Sequence, residues 1–335
     1  MTETTARICA VHKERYELLL GGTITFAKLK TSVYLNNTEP YPTVGDDVTV
    51  LLNPLGDSVI IKTLPRKSFF ARSDPNPGVY REQAVAANFD TVFILQSMNQ
   101  NFNVRRLERT LTLAWQSGGA PVVVLTKQDL VPDHSPYVRE AENVALGVDI
   151  VPVSAKSGFG LERLDSYLQS GMVSVFLGSS GVGKSSLLNA LAGETVMEVS
   201  EIREDDARGR HTTTHRQMVR LPSGAFIIDT PGMREMGISQ NTDNPEDVRG
   251  ALNEVFGDVE NLICRFSDCK HQSEPGCAVR AAIESGELTK ERWDAYVKLK
   301  REARYAEDKA AAIREKSARN QGIAIWSRNR GKVVW

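Results

Sequence analysis

The sequence predicts three parts: a small β-barrel, an α/β domain with a largely parallel sheet, and a mainly α-helical domain that holds a metal ion. Five short strand-like segments fall within residues 7–64, separated by Gly, Asn, Asp and Pro, which is typical of a small barrel. From Asp90 onward, apolar strands alternate with helical segments, a pattern that favours a parallel sheet covered on both faces. Three of the four cysteines lie within the short segment 264–277.

Each element follows from its local pattern. Barrel strands are expected at 8–11, 16–20, 23–26, 48–52 and 59–61, and the stretch Ser73–Gly78 predicts a linker. In the α/β part, strands are expected at 92–95, 122–125, 149–151 and 173–177, with helices at 104–115, 136–146 and 161–168. Beyond residue 240 the pattern predicts helices at 278–285 and 290–318. We therefore expect domains at 1–68, 83–240 and 241–335, joined by a linker over 69–82.

Composition excludes several classes of protein. Hydrophobic residues make up 41% and charged residues 25%, which excludes disordered and fibrous proteins. No apolar run reaches the ~18 residues of a membrane helix, and the start shows no secretory signal. The odd cysteine cluster suits a metal better than disulfides. We therefore expect a cytoplasmic protein with no membrane partner, working as a monomer.

The charge is unevenly distributed along the chain. The net charge of -1 combines +7 over residues 298–335, from eleven basic and four acidic side chains, with -8 over the remainder. A basic tail on an acidic body indicates a polyanionic partner. A solvated helix face explains the same composition, and composition alone leaves both interpretations open.

A phosphate-binding loop stands at residues 178–185. The motif G-x-x-x-x-G-K-[ST] is matched by Gly178-Ser179-Ser180-Gly181-Val182-Gly183-Lys184-Ser185. This segment lies between an apolar strand and a helix that begins at Ser186 and Leu187. The glycines let backbone N–H groups surround phosphate oxygens, and the helix N-terminus adds positive potential. Lys184 is expected to reach the outer phosphates and Ser185 to ligate Mg²⁺. Downstream, Asp229-Thr230-Pro231-Gly232 ends an apolar strand, which places Asp229 on the Mg²⁺ side and Gly232 at the terminal phosphate.

Two further segments indicate guanine recognition. Thr126-Lys127-Gln128-Asp129 follows a strand and is similar to N-K-x-D, in which the carboxylate accepts from both N1–H and the exocyclic amine of guanine. Ser154-Ala155-Lys156 is similar to the S-A-K loop that contacts the guanine carbonyl. Thr126 stands where the pattern has Asn, so one amide hydrogen bond to the base is expected to be missing. Both segments precede the phosphate loop, which indicates a circularly permuted domain.

The cysteine cluster has the composition of a zinc site. Cys264, Cys269, His271 and Cys277 supply three thiolates and one imidazole, a closed tetrahedral set for structural zinc. Buried cysteines beside a surface histidine are the alternative. Without a metal this short segment has little core of its own.

Together these features resemble the RsgA (YjeQ/EngC) family of small-subunit-dependent GTPases, over nearly the whole chain. The motif order and the metal cluster carry the resemblance. Three further segments match the family: Val44–Val48 in the barrel, Ala86–Asp90 at the start of the α/β domain, and Gly209–Thr214 in the switch loop. The resemblance implies an N-terminal OB-fold barrel, a permuted GTPase domain, and a zinc domain. It also implies a late assembly factor that binds ribosomal RNA of the small subunit, with other assembly factors as further partners, and converts GTP to GDP and phosphate slowly until the subunit stimulates it.

The resemblance assigns the Mg²⁺-side threonine to Thr213 and the zinc ligands to the cluster above. For catalysis we expect Lys184 and Thr213 to act at the phosphates, and His211 to position the attacking water, because Met233 stands where many GTPases have glutamine. His211 contacting RNA, or nothing, is the alternative. For function, an RNA-binding module with a mainly structural nucleotide site remains open, and an ATP-dependent metal enzyme is disfavoured by Asp129.

Overall fold

The computed structural model describes residues 2–13, 15–34, 39–72, 83–197, 216–229 and 245–304. The chain divides into two compact units, Met1–Met236 and Gly237–Trp335. The predictions that concern the linker at Ser73–Gly78, the switch residues His211 and Thr213, Gly232, and the tail beyond residue 304 lie outside the described residues.

The first part of the chain forms a closed barrel, as predicted. Its strands are β1 (Glu3–Val11), β2 (Tyr16–Leu20), β3 (Thr23–Leu29), β4 (Asp47–Leu51) and β5 (Ser58–Thr63), with a short helix α1 (Thr31–Tyr34) after β3. The order is β1-β2-β3-β5-β4, and β4 pairs back with β1, which closes the barrel. Alternate side chains such as Ile8, Leu18 and Ile60 are fully buried, because a closed barrel turns one face of every strand inward.

Part of the predicted linker belongs to a sheet. Strands β6 (Phe69–Arg72) and β7 (Gln83–Ala87) form an antiparallel pair. The first four residues of the predicted 69–82 linker are therefore a strand, because they pair with β7. No local pattern at 69–72 predicts this pairing.

The α/β part contains six strands in one sheet. They are β8 (Thr91–Ser97), β9 (Ala120–Thr126), β10 (Ile150–Pro152), β11 (Val173–Leu177), β12 (Arg216–Arg220) and β13 (Phe226–Asp229). Helices α2 (Val104–Gln116), α3 (Ser135–Glu142) and α4 (Lys184–Ala192) connect them, with 3-10 helices at Gln128–Leu130 and Leu161–Tyr167. The order is β10-β9-β8-β11-β13-β12, all parallel except β12. Every residue of β8 and β11 is buried, as expected of strands covered on both faces.

The second unit is helical over its described residues, which contain no strand. Helices α5 (Pro245–Glu260), α6 (Ala278–Ser285) and α7 (290–304) surround a small core. Phe256 and Tyr296 lie in that core with their ring centroids 5.7 Å apart. Across the described ranges, no helix combines the length and the apolar character needed to cross a membrane.

Candidate nucleotide site and metal cluster

The sequence motifs meet at one edge of the α/β sheet. Because β9, β10, β11 and β13 run parallel, their carboxyl ends lie on the same side, where open α/β sheets bind ligands. The phosphate loop follows β11, the Thr126 segment begins at the last residue of β9, the Ser154 segment follows β10, and Asp229 ends β13. Segments that are far apart in the chain therefore share one edge.

The phosphate loop has the backbone that its glycines predict. Gly181 and Gly183 take φ values of 73° and 103°, which L side chains rarely adopt. A Cβ on Gly178 would stand 2.9 Å from the carbonyl oxygen of Leu95, so this position has no room for a side chain. Helix α4 begins at Lys184, which puts the backbone N–H groups of Ser185 and Ser186 in its first turn, directed at the loop.

Lys184 folds back over the loop. Its Nζ donates to the carbonyl oxygens of Gly178 at 2.7 Å and Ser179 at 2.8 Å. These contacts hold the ammonium group above the turn that the glycines form. A phosphate bound in the loop would bring acceptor oxygens to the same place, where the ammonium group can donate to them.

Thr126 ties the base-reading segment to the phosphate loop. Its buried hydroxyl donates to the carbonyl oxygen of Val182 at 2.6 Å, and lies 3.3 Å from that of Gln96. The hydroxyl thus joins the end of β9 to the loop that follows β11. Sequence reasoning weighed only the amide hydrogen bond to the base that Thr126 lacks, and missed this connection, which no local pattern encodes.

Asp129 is held by the second guanine-reading segment. The Ser154 hydroxyl, fully buried, donates to Asp129 Oδ1 at 2.6 Å, and Ser154 Oγ accepts the Ser157 N–H at 3.1 Å. Asp129 itself is exposed at the sheet edge. The carboxylate is therefore oriented before any ligand arrives, with accepting capacity left for two guanine donors.

The Ser154 loop is itself closed by backbone hydrogen bonds. The Ser154 N–H donates to the carbonyl oxygen of Phe159, and the Gly158 N–H donates to that of Ser154, both at 2.9 Å. Ala155 and Lys156 lie between them on the outside of the loop. The predicted guanine-contacting triad is thus presented on a compact turn beside Asp129.

Asp229 is the buried acid of the site. It is 6% exposed and lies opposite Gln217 of β12 in the antiparallel pair β12–β13. A carboxylate in that position at the sheet edge, beside the strand that leads to the phosphate loop, is suited to the Mg²⁺ side of a nucleotide. Its predicted companions Thr213 and Gly232 lie outside the described residues.

The second unit brings the four predicted metal ligands together. The ligand atoms of Cys264, Cys269, His271 and Cys277 all lie within 4.8 Å of one another. Cys264 Sγ and Cys277 Sγ are 3.9 Å apart, and each lies 3.5 Å from His271 Nδ1. Tetrahedral zinc with ordinary bond lengths requires separations of about 3.8 Å between sulfurs and about 3.5 Å between sulfur and nitrogen. These three separations therefore match the geometry of a zinc site, and the fourth ligand, Cys269, lies in the same cluster.

The surroundings of the cluster favour a metal. Burial alone would raise the pKa of the Cys264 thiol, but hydrogen bonds from the N–H groups of Ala278 and Val279 in the first turn of α6, together with those from the Cys269 and Cys277 thiols, lower that pKa. The His271 ring packs edge-on against Trp293 of α7, with centroids 4.9 Å apart. Such contacts favour the thiolate form and orient the imidazole, as the outer shell of a metal site does. No motif in the chain points to Trp293, which sequence reasoning missed.

Parallel strands bearing these segments define a P-loop GTPase whose motifs run in circularly permuted order. The family model described as RsgA GTPase matches residues 63–239, more than half of the chain. The chain belongs to the RsgA GTPase family, whose activity is the hydrolysis of GTP.

Full-length relatives agree with the family model. A "Small ribosomal subunit biogenesis GTPase RsgA 1" of Listeria monocytogenes is 42% identical over 99% of this chain and 90% of its own length. A protein of Methanosarcina acetivorans with the corresponding name is 41% identical over 91% of this chain and 80% of its own.

Two solved structures share the fold. The crystal structure of YjeQ from Thermotoga maritima has a TM-score of 0.63 at 30% identity, and covers 89% of this chain and 97% of that one. The structure titled YloQ, a circularly permuted GTPase, has a TM-score of 0.61 at 23% identity, over 92% of this chain and 96% of that one. The second likeness concerns the fold alone.

Proposed function

We propose that this protein assists the late maturation of the small ribosomal subunit, hydrolysing GTP slowly alone and faster on the subunit, with hydrolysis driving its release. The observation that carries the proposal is the relative named for small ribosomal subunit biogenesis, 42% identical over 99% of this chain, together with the intact phosphate loop and Asp129. The protein works in the cytoplasm as a monomer, with subunit RNA as its partner.

The proposed roles of the site follow from its chemistry. Thr126–Asp129 and Ser154–Lys156 bind guanine, and Gly178–Ser186 bind the phosphates. Ser185, Thr213 and Asp229 hold Mg²⁺, with Gly232 at the terminal phosphate and Lys184 neutralising charge there. Mg²⁺, when bound, neutralises the phosphate charge that builds up as the terminal phosphate leaves.

One zinc ion, held by Cys264, Cys269, His271 and Cys277, is proposed to keep the second unit folded. The sulfur–sulfur and sulfur–nitrogen separations support this assignment. The set leaves no open position for substrate, so the role is structural rather than catalytic.

The test is GTP turnover by the full chain, with and without purified small subunits, and with ATP as the control nucleotide. Stimulation by the subunit with GTP, and none with ATP, supports the proposal. Turnover that no subunit changes, combined with tight subunit binding, would instead identify an RNA-binding module whose nucleotide site is structural.

His211→Ala belongs in the same assay, because His211 is proposed to position the attacking water. A general acid–base group of this kind contributes about 10²–10⁴ in rate. The variant is expected to lose that factor in stimulated turnover while binding GTP and subunits as the parent does. A rate within a few-fold of the parent at saturating subunit would remove His211 from the site.

A further inference from the structure

A loop of the barrel reaches the strand that carries Asp229. Gly45, in the segment Val44–Val48, has a φ of 90°. A Cβ placed there would overlap the carbonyl oxygen of Ala87 and stand 3.1 Å from Ile228 Cδ1. Ile228 is fully buried and directly precedes Asp229 on β13. The backbone of the barrel therefore packs against the nucleotide-binding sheet one residue from its buried acid.

Hydrogen bonds hold this loop from both sides. The Gly45 N–H donates to the carbonyl oxygen of Ile8 in the barrel at 2.8 Å, and the Ala87 N–H donates to that of Val44 at 3.0 Å. Asn88 donates through Nδ2 to the Gly45 carbonyl at 3.1 Å and accepts the Lys67 N–H at 2.9 Å. Two of these hydrogen bonds join backbone to backbone and two run through the Asn88 side chain, so the loop is tied to β7 and to Asn88 directly after it.

A partly buried ion pair holds the loop from the barrel side. Asp46 is fully buried and accepts from Arg66 Nε and Nη2, both at 2.7 Å, and from the Thr43 N–H at 2.7 Å. A carboxylate with these partners has little freedom to move, because any shift leaves buried charge unpaired. These contacts hold the loop Val44–Val48 in place between the barrel and the sheet.

Strand pairing provides a second connection between barrel and site. Ala10 of β1 lies opposite Gln217 of β12, and Gln217 lies opposite Asp229 of β13. These three residues form one row across the adjacent strands β1, β12 and β13, and the row ends at Asp229. By contrast β9, β10 and β11, which precede the base-reading and phosphate segments, make no pairing with the barrel over the described residues.

We propose that the barrel positions Asp229, through Gly45 on β13 and through β1 on β12, so that the barrel is a structural part of the Mg²⁺ side of the nucleotide site. Gly45 and Asn88 act as positioning residues. This inference rests on the proposed role of Asp229 beside Mg²⁺. It requires that a substitution that displaces the loop Val44–Val48 lowers the gain in nucleotide affinity on adding Mg²⁺. The affinity measured without Mg²⁺ is expected to stay unchanged, since the base and phosphate contacts lie on the other strands.

The experiment compares Gly45→Ala with Gly22→Ala in the full chain. Gly22 has a similar φ of 86° and nothing within 4 Å of the added Cβ, so the control shares the backbone strain but not the contact. GDP affinity is titrated with Mg²⁺ from a magnesium-free buffer made without chelator, which leaves any zinc in place. We expect the affinity gained on adding Mg²⁺ to fall at least about fivefold in Gly45→Ala, the lower end of typical coupling between sites, and to be unchanged in Gly22→Ala.

Asn88→Gly is the second variant, in case Gly45→Ala does not fold. Glycine tolerates the φ of 54° at position 88 while removing both side-chain hydrogen bonds, and the same selective loss is expected. If adding Mg²⁺ increases the GDP affinity of the variants as much as that of the parent, the inference is overturned. A loss of affinity that is equal with and without Mg²⁺ also overturns it, since it reports a general defect. A parent chain with no Mg²⁺ dependence overturns the assignment of Asp229 itself.

Discussion

Thr126 serves the site in a way that its place in the guanine-reading pattern does not reveal. Its hydroxyl is buried and donates to Val182 of the phosphate loop. An asparagine would offer a longer side chain and two donors, whereas threonine offers one donor on a stiff β-branched stem. At position 126 the side chain therefore acts between two parts of the protein, and the proposed base recognition rests on Asp129.

Thr126→Val tests this connection. Valine keeps the shape but leaves the Val182 carbonyl without its donor, which costs about 1–3 kcal/mol for a buried group. We expect a loss of that size in urea unfolding and weaker GDP binding, while Thr126→Ser, which keeps the hydroxyl, stays close to the parent. Parent-like stability of the valine variant would show that the hydrogen bond contributes nothing.

Asp129→Asn tests base recognition. The new carbonyl oxygen accepts from Ser154 as the carboxylate does, so the new amide N–H₂ faces the two donors of guanine. Because hydrogen bonds to charged groups are worth about 1.5–3 kcal/mol, GTP affinity is expected to fall by the corresponding factor. A competition titration of GTP against ATP measures this loss of GTP affinity.

Xanthine nucleotide provides the control for that variant. Xanthine carries a carbonyl in place of the exocyclic amine, so it accepts from the new amide, and part of the missing affinity is expected to return. A guanine preference unchanged from the parent would remove Asp129 from the base site.

The segment between His271 and Cys277 is an element without helix or strand, ordered by one carboxylate. Glu274 accepts the N–H groups of Lys270 at 3.0 Å, Gln272 at 2.8 Å and Ser273 at 2.9 Å. These hydrogen bonds, with Lys270 the largest contributor, lower the pKa of Glu274 to about 2. The contribution of the carboxylate is thus complete above its ordinary pKa of 4.5, and is lost as the pH falls toward 2.

Glu274→Gln is expected to weaken zinc binding. Outer-shell partners of metal ligands are typically worth about 10–100-fold in metal affinity, and an amide oxygen is a poorer acceptor than a carboxylate. Competition with a chromophoric chelator measures the affinity. Glu284→Gln is the matched control, because Glu284 is exposed on α6 and its carboxylate pairs with Arg280 one turn earlier. Equal zinc affinity in both variants and the parent would contradict the role of Glu274.

Across the whole molecule, charge is separated along the chain. The +7 of residues 298–335 begins in the described part of α7, where Lys298, Arg301 and Arg304 are exposed at helical spacing. Spacings of three residues put these side chains on one face of a helix. A face of this kind contacts phosphates without specifying sequence.

Charge reversal at Arg314, Lys316 and Arg319 tests whether the tail binds RNA. Subunit binding is expected to weaken, and the slope of log affinity against log salt to fall by roughly one for each phosphate that the tail no longer neutralises. GTP affinity, measured without subunits, serves as the control and is expected to stay unchanged. Equal salt slopes for variant and parent would identify the tail as a solvated helix face.

Two helices of the α/β part differ from the sequence expectation in length or in type. The barrel, the parallel sheet and α6 were predictable because buried strands and amphipathic helices carry their period in the local sequence. The helix expected at 136–146 instead ends at Glu142, and the chain turns through Gly147, with φ of 70°, into β10. The helix expected at 161–168 is a 3-10 helix, the tighter form used in short connectors.

Local sequence is enough to predict the parts of the site: a phosphate loop, a carboxylate proposed to read guanine, an acid at the end of a buried strand and a Cys₃His set, each made by residues near one another in the chain. How these parts support one another emerges from the folded chain alone. Thr126 meets Val182, Ser154 meets Asp129, and Gly45 meets Ile228 across gaps of 25 to 183 positions. Such contacts depend on how strands align in the closed fold, and no local period or motif records that alignment.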